Sequence, residues 1–216
     1  MKLLAEILSW IFLPLLMPIY GLMLAMYIPS NQDYFFNTES LYFLTPEAKE
    51  LILYMFFIFS ALAPGLSFFM LHRRKVISTI DMESAKERSI PMLIMFGYCL
   101  LLYILFVLKA PNNILPKYIY ALPLAGTLVT ALYTYINFYI KISLHGGGAG
   151  ILSGFIFAYA SVQQEYQFWI LPAVIIASGL TIFARLFLKK HTPTEVYTGW
   201  SVAFIITFCC NYFYPN

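Results

Sequence analysis

Charge is scarce in this chain. Lys, Arg, Asp and Glu make up 11% of its 216 residues, where soluble domains run nearer 25%. No polar stretch is long enough to hold a separate soluble domain. The net charge of +3 leaves no broad basic surface for a nucleic acid. The three cysteines, Cys99, Cys209 and Cys210, sit inside apolar blocks without a CxxC pair, which excludes a disulfide framework and a thiolate metal site. There is no G-x-S-x-G elbow, so the run His145-Gly146-Gly147-Gly148 is not the oxyanion loop of a soluble α/β hydrolase.

Hydrophobic residues supply 61% of the chain. They fall in continuous blocks of about 20, the length a helix needs to cross a ~30 Å hydrocarbon core. Continuous rather than alternating blocks select helices over a closed barrel. The expected fold is an all-α integral membrane protein, a single transmembrane domain over 1–216 with six to seven spanning helices. Seven apolar segments are predicted, at about 3–28, 50–71, 90–110, 117–140, 146–163, 167–188 and 194–213. The first is too long for the apolar part of a signal peptide and is read as retained. Pro14 and Pro18 are expected to kink it.

The loops between the segments alternate in character. On the side that bears the N-terminus, side A, lie loops 72–89, 141–145 and 189–193. They gather His145, His191, the candidate site arginines and most of the lysines. The opposite side, side B, carries an acidic and aromatic stretch, NQDYFFNTES, with no constellation for catalysis.

The strongest local pattern is Arg185-x5-His191-x3-Glu195. A carboxylate four residues after a histidine reaches one ring nitrogen, fixes the tautomer and leaves the other for attack or proton transfer. An arginine nearby supplies a forked donor for phosphate. Thr192-Pro193-Thr194-Glu195 also reads as a capping box, in which Glu195 only starts a helix. The two readings are compatible, and a helix N-terminus favours a bound anion. The glycines have two readings as well. Gly146, Gly150 and Gly154 form a small-xxx-small track for helix contact, while a glycine run after a histidine can present N–H groups to an oxyanion. His145 is either a site residue or an interfacial polar group. Arg73, Arg74 and Lys75 read as a membrane-flanking cluster. Lys86 and Arg88 either belong with them, pair with Asp81, Glu83 and Glu87, or serve the site. Ser153 is the one serine placed to suggest an intramembrane hydrolase, but a serine nucleophile needs no crowd of cations. Taken together, two histidines, a carboxylate and an excess of cations on one face fit the binding and cleavage of a phosphate monoester or pyrophosphate. A metal site would want more carboxylates or cysteines.

In order, Arg88…Pro91, then Ser143-Leu144-His145, then Arg185-x5-His191-x3-Glu195 resembles the type 2 phosphatidic acid phosphatase family. That family's motifs read Lys-x6-Arg-Pro, Pro-Ser-Gly-His and Ser-Arg-x5-His-x3-Asp. The resemblance covers about 81–200, and KISLHGGGAG and ARLFLKKHTPTEVYTG are similar to a compact bacterial subgroup. It implies that His191 is the nucleophile that forms a phospho-histidine, Glu195 its orienting carboxylate and His145 the acid for the leaving group. Arg88, Arg185 and Ser143 take the phosphate-binding positions. This chain has Ile142, Leu144 and Ala184 where the family has proline, glycine and serine, and Ser89-Ile90 between Arg88 and Pro91. Asp81 stands at the lysine position of the first motif, with Lys141 or Lys86 as substitutes.

Ten of the cations (Lys2, Arg73, Arg74, Lys75, Lys86, Arg88, Lys141, Arg185, Lys189 and Lys190) fall on side A, and three (Lys49, Lys109 and Lys117) on side B. The positive-inside rule would put side A in the cytoplasm, whereas the family works mostly on the other face. The side stays open. The expected function is a metal- and cofactor-independent lipid phosphatase of the bacterial inner membrane, with a lipid phosphate or pyrophosphate as its partner. The alternative is a non-catalytic lipid-phosphate binder or carrier using the same pocket.

Overall fold

The computed structural model describes residues 1–32, 40–79, 82, 84–110 and 114–215. Among them, nine α-helices follow in chain order: α1 (Lys2–Ile11), α2 (Met17–Tyr27), α3 (Pro46–Phe56), α4 (Ala63–Arg73), α5 (Ala85–Lys109), α6 (Tyr118–Ile136), α7 (Leu144–Ala160), α8 (Ile170–Phe187) and α9 (Pro193–Phe213). A π-helical turn over Phe57–Leu62 joins α3 to α4, so Pro46–Arg73 is one continuous span. With α5, α6, α8 and α9 that makes five helices long and apolar enough to cross a membrane. The protein is a helical membrane bundle. Its only sheet among the described residues is a short antiparallel ribbon, β1 (Ser30–Gln32) with β2 (Gln163–Tyr166), which ties two side-B loops together.

The first apolar segment departs from expectation. It is not one kinked span but two short helices of 10 and 11 residues, each about 15 Å long. Pro14 cannot donate a backbone hydrogen bond, and the chain breaks around it. The carbonyls exposed by the break find side-chain donors. Tyr20 Oη–H donates to Ile11 O at 3.0 Å, and Ser60 Oγ–H, inside the π turn, lies 3.2 Å from Leu15 O.

The centre of the bundle is α7. At 17 residues it is shorter than the five long spans, yet most of it is buried. Its N-terminal turns carry three consecutive glycines that face three ways, and a different element packs against each. A Cβ on Gly146 would come within 2.7 Å of Val196 O of α9, one on Gly147 within 2.5 Å of the Tyr133 hydroxyl of α6, and one on Gly148 within 2.6 Å of Pro14 Cα. Further along, Gly150 and Gly154 face the backbone of α9 at Trp200 and Phe204. On a fourth flank Ser153 Oγ meets Ser178 Oγ of α8 at 2.7 Å. That interhelical bond contributes about 0.6 kcal/mol in a membrane, so close backbone packing dominates. Ser153 is therefore a helix contact. The run of glycines is packing too: Gly146 N–H donates to Ser143 Oγ and Gly147 N–H to Ser143 O, so neither is offered to an oxyanion.

Candidate active site

Three side-A turns meet where α8 hands over to α9. Helix α8 ends in a Schellman turn: Lys190 N–H donates to Arg185 O at 3.1 Å and Lys189 N–H to Leu186 O at 3.0 Å. Lys189 takes the left-handed conformation (φ 53°) that this turn requires. Two residues later Thr192 caps α9, its Oγ1 accepting from Glu195 N–H, with Pro193 in the first turn. His191 is thus held between one helix end and the next helix start, and 8% of its surface remains exposed.

The imidazole has both nitrogens engaged. Nδ1 lies 2.7 Å from Glu195 Oε2. A carboxylate only accepts, so Nδ1 carries the hydrogen and the Nε2 lone pair points away from Glu195. Arg88 Nη2 stands 3.4 Å from that Nε2. Arg88 reaches it from the first turn of α5 and is itself pinned by two carbonyls: Nε donates to Met82 O at 2.9 Å and Nη1 to Ile142 O. One guanidinium therefore ties the α4–α5, α6–α7 and α8–α9 turns together. Ser143 N–H adds a bond to Glu195 O at 3.2 Å.

An open pocket of about 590 Å³ lies against this group. Lys141, Leu186, Lys189, Lys190, His191, Thr192, Pro193 and Glu195 line it. Lys141 Nζ donates to Lys190 O at 3.2 Å, which holds the 140s turn against the α8–α9 turn. Three lysines, a histidine and a helix N-terminus give the pocket a cationic lining, with Glu195 as its one carboxylate.

The structure brings together four of the predicted site residues: His191, Glu195, Arg88 and Lys141. The others lie close in the fold but play different local parts. Ser143 is fully buried as the N-cap of α7. Arg185 is buried in the last turn of α8, 3% exposed, and like Arg88 does not itself line the pocket; what sets Arg88 apart is its approach to the His191 ring. His145 is half-buried, and its Nε2 lies 3.3 Å from Ser9 O, turned toward α1. Lys86 is exposed on the first turn of α5. Glu87 does not pair with its neighbours; its carboxylate accepts from Ser78 N–H and Oγ–H at 3.2 and 3.1 Å. Asp81 and Glu83, the other pairing partners considered, and with Asp81 the first-motif position, lie outside the described residues.

Lys189 and Lys190 are pocket residues that the motif spacing passes over. Their signal was their place in the turn beside His191. The carbonyls of Met82 and Ile142 have no sequence signal, because any residue supplies a carbonyl. Among the described residues, no three His, Cys, Asp or Glu side chains cluster as metal ligands would. No family model matches the chain, and no curated protein or solved structure matches it.

Proposed function

We propose that this protein is a lipid phosphatase of the type 2 phosphatidic acid phosphatase kind, acting in a bacterial inner membrane. The observation that carries the reading is the His191 ring, oriented by Glu195 at 2.7 Å and facing Arg88 at 3.4 Å across its other nitrogen. This is a nucleophile with an orienter behind it and a phosphate-binding cation in front. His191 Nε2 attacks the phosphorus of a lipid phosphate or pyrophosphate. The P–O bond to the leaving group breaks, and the leaving oxygen takes a proton, the role this reading gives to His145. Water then cleaves the P–N bond and releases inorganic phosphate. Arg88 and Lys141, with Lys189 and Lys190 at the rim, balance the charge on the phosphoryl oxygens. Arg185 would act from the end of α8, and Ser143 by fixing the start of α7.

The test is phosphate release by the purified protein from a panel of lipid phosphates and pyrophosphates, with chelator present. Release that disappears in His191→Ala supports the reading. Equal lipid-phosphate binding by both proteins, with no release from any lipid, replaces it with a non-catalytic carrier.

A further inference from the structure

Helices α8 and α9 leave the His191 turn side by side, and each packs on α7 along a different track. Ser153 marks the α8 track, and Gly150 with Gly154 the α9 track. Phe157 comes three residues after Gly154 and four after Ser153, so it stands between the two tracks. Its ring meets Phe204 of α9 edge-on at 5.7 Å. From there α9 presents a ladder of stacked rings at every fourth position. Trp200–Phe204, Phe204–Phe208 and Phe208–Tyr212 have centroids 5.0, 6.1 and 5.6 Å apart and planes within 18° of parallel. Helix α6 lies on the other flank of α9, where Tyr133 Oη–H donates to Gly199 O. The ladder therefore faces the gap toward α8, with Phe157 as its floor.

The gap begins at the α8–α9 turn that holds His191. Leu186, on the last turn of α8, is one of the residues lining the His191 pocket. The rings from Trp200 to Tyr212 are half-buried rather than covered, and they extend for about 18 Å at the helical rise. That is slightly more than one leaflet of a ~30 Å core. The two ends differ in chemistry: Lys141, Lys189 and Lys190 surround the mouth, and the α9 wall beyond it is a row of aromatic rings. Near the mouth, Trp200 Nε1–H is buried with no hydrogen-bond partner among the described residues. A helical side chain leans toward the helix N-terminus, which aims the indole at the side-A end. A donor there suits the bridging or ester oxygen of a lipid just below its phosphate.

We propose that the α8–α9 groove seats one hydrocarbon chain of an anionic lipid phosphate whose phosphate lies in the His191 pocket. The proposal rests on the phosphate-binding part of the preceding reading and not on turnover. Charge complementarity at the mouth selects this occupant over a neutral lipid, and the rigid aromatic wall selects a single chain lying along α9.

Trp200 reports on the groove directly. In a Trp10→Phe/Trp169→Phe protein it is the sole indole, since the chain has three tryptophans. The probe is a brominated long-chain alkyl phosphonate, whose C–P bond resists hydrolysis, with the brominated alcohol of equal length as control. The expected result is saturable quenching by the phosphonate, shifted to higher concentration by inorganic phosphate, and weaker, non-saturating quenching by the alcohol. Phe204→Ala should raise the half-saturation point about tenfold, the scale of one aromatic contact; Phe208→Leu serves where that variant does not fold. Equal quenching by phosphonate and alcohol would mean ordinary solvation of the helix surface and would overturn the proposal, as would an unshifted half-point in the folded variant. Saturable quenching without phosphate release from the matching alkyl phosphate would sink the hydrolase reading and leave the groove standing. Release with non-saturating quenching would sink the groove alone.

Discussion

Glu195 Oε2 accepts from two donors, the His191 ring at 2.7 Å and the Thr192 backbone N–H at 3.2 Å. The helix cap and the proposed chemistry share one atom there, so a substitution can separate them. Glutamine still closes a capping box but no longer supplies a charged acceptor for Nδ1. Glu195→Gln is therefore expected to leave thermal stability nearly unchanged while phosphate release falls by about 10²–10⁴, the usual scale of a positioned acid–base group. Unchanged release in a stable variant would mean that Glu195 is only a cap. A second residue-scale expectation concerns Lys75, at φ 57° in the Schellman turn that ends α4. A side chain in the left-handed region costs about 1 kcal/mol, which glycine avoids. Lys75→Gly should raise the melting temperature with no change in activity, because Lys75 is not among the pocket residues.

Helix α7 behaves as an axle on which its neighbours seat. A Cβ at Gly154 would come within 2.5 Å of Phe204 O, a backbone atom that cannot rotate away. Gly154→Ala should therefore cost about 1–3 kcal/mol, as overpacking does, read as a lower melting temperature in detergent. Gly97, on α5, has nothing within 4 Å of the same added atom. Gly97→Ala should stabilise by up to about 1 kcal/mol through helix propensity alone. How far the elements were legible follows the same division. The start of α9 was readable because Thr192, Pro193 and Glu195 form a local capping signal. The small-xxx-small track of Gly146, Gly150 and Gly154 was readable for contact with another helix, but not for the choice of α9, and nothing in the spacing announced that Gly147 and Gly148 would meet Tyr133 and Pro14. The break at Pro14 was underestimated as a kink, because its relief comes from Tyr20 and from Ser60, a residue 45 positions from Leu15.

At the scale of the whole molecule, side A and side B are each stitched by contacts that no local pattern announces. Arg88 joins three turns on side A, and the β1–β2 ribbon joins two loops on side B. The pairing of His191 with Glu195 lay within four residues and could be read in advance. The approach of Arg88 across 103 positions could be expected only as membership of one face. The same layering predicts a labelling pattern. With the native cysteines replaced, Lys75→Cys and Lys189→Cys should react together with a membrane-impermeant maleimide in intact cells, or be spared together, and Glu165→Cys should show the opposite response. Reaction of Lys75→Cys and Glu165→Cys from the same side would break the topology. There is a consequence for biogenesis. Helix α7 leaves the ribosome before α9 does, yet its glycine flank has no proper neighbour until α9 arrives. In the interval it offers lipid a bare strip of backbone, which is a poor segment to leave in a bilayer. Commitment of α7 to the membrane is thus deferred to the insertion of α9, the helix that also brings Glu195 to His191. A nascent chain halted between the two should be retained by the insertion machinery or degraded, so that a protein released to the membrane already has its histidine oriented.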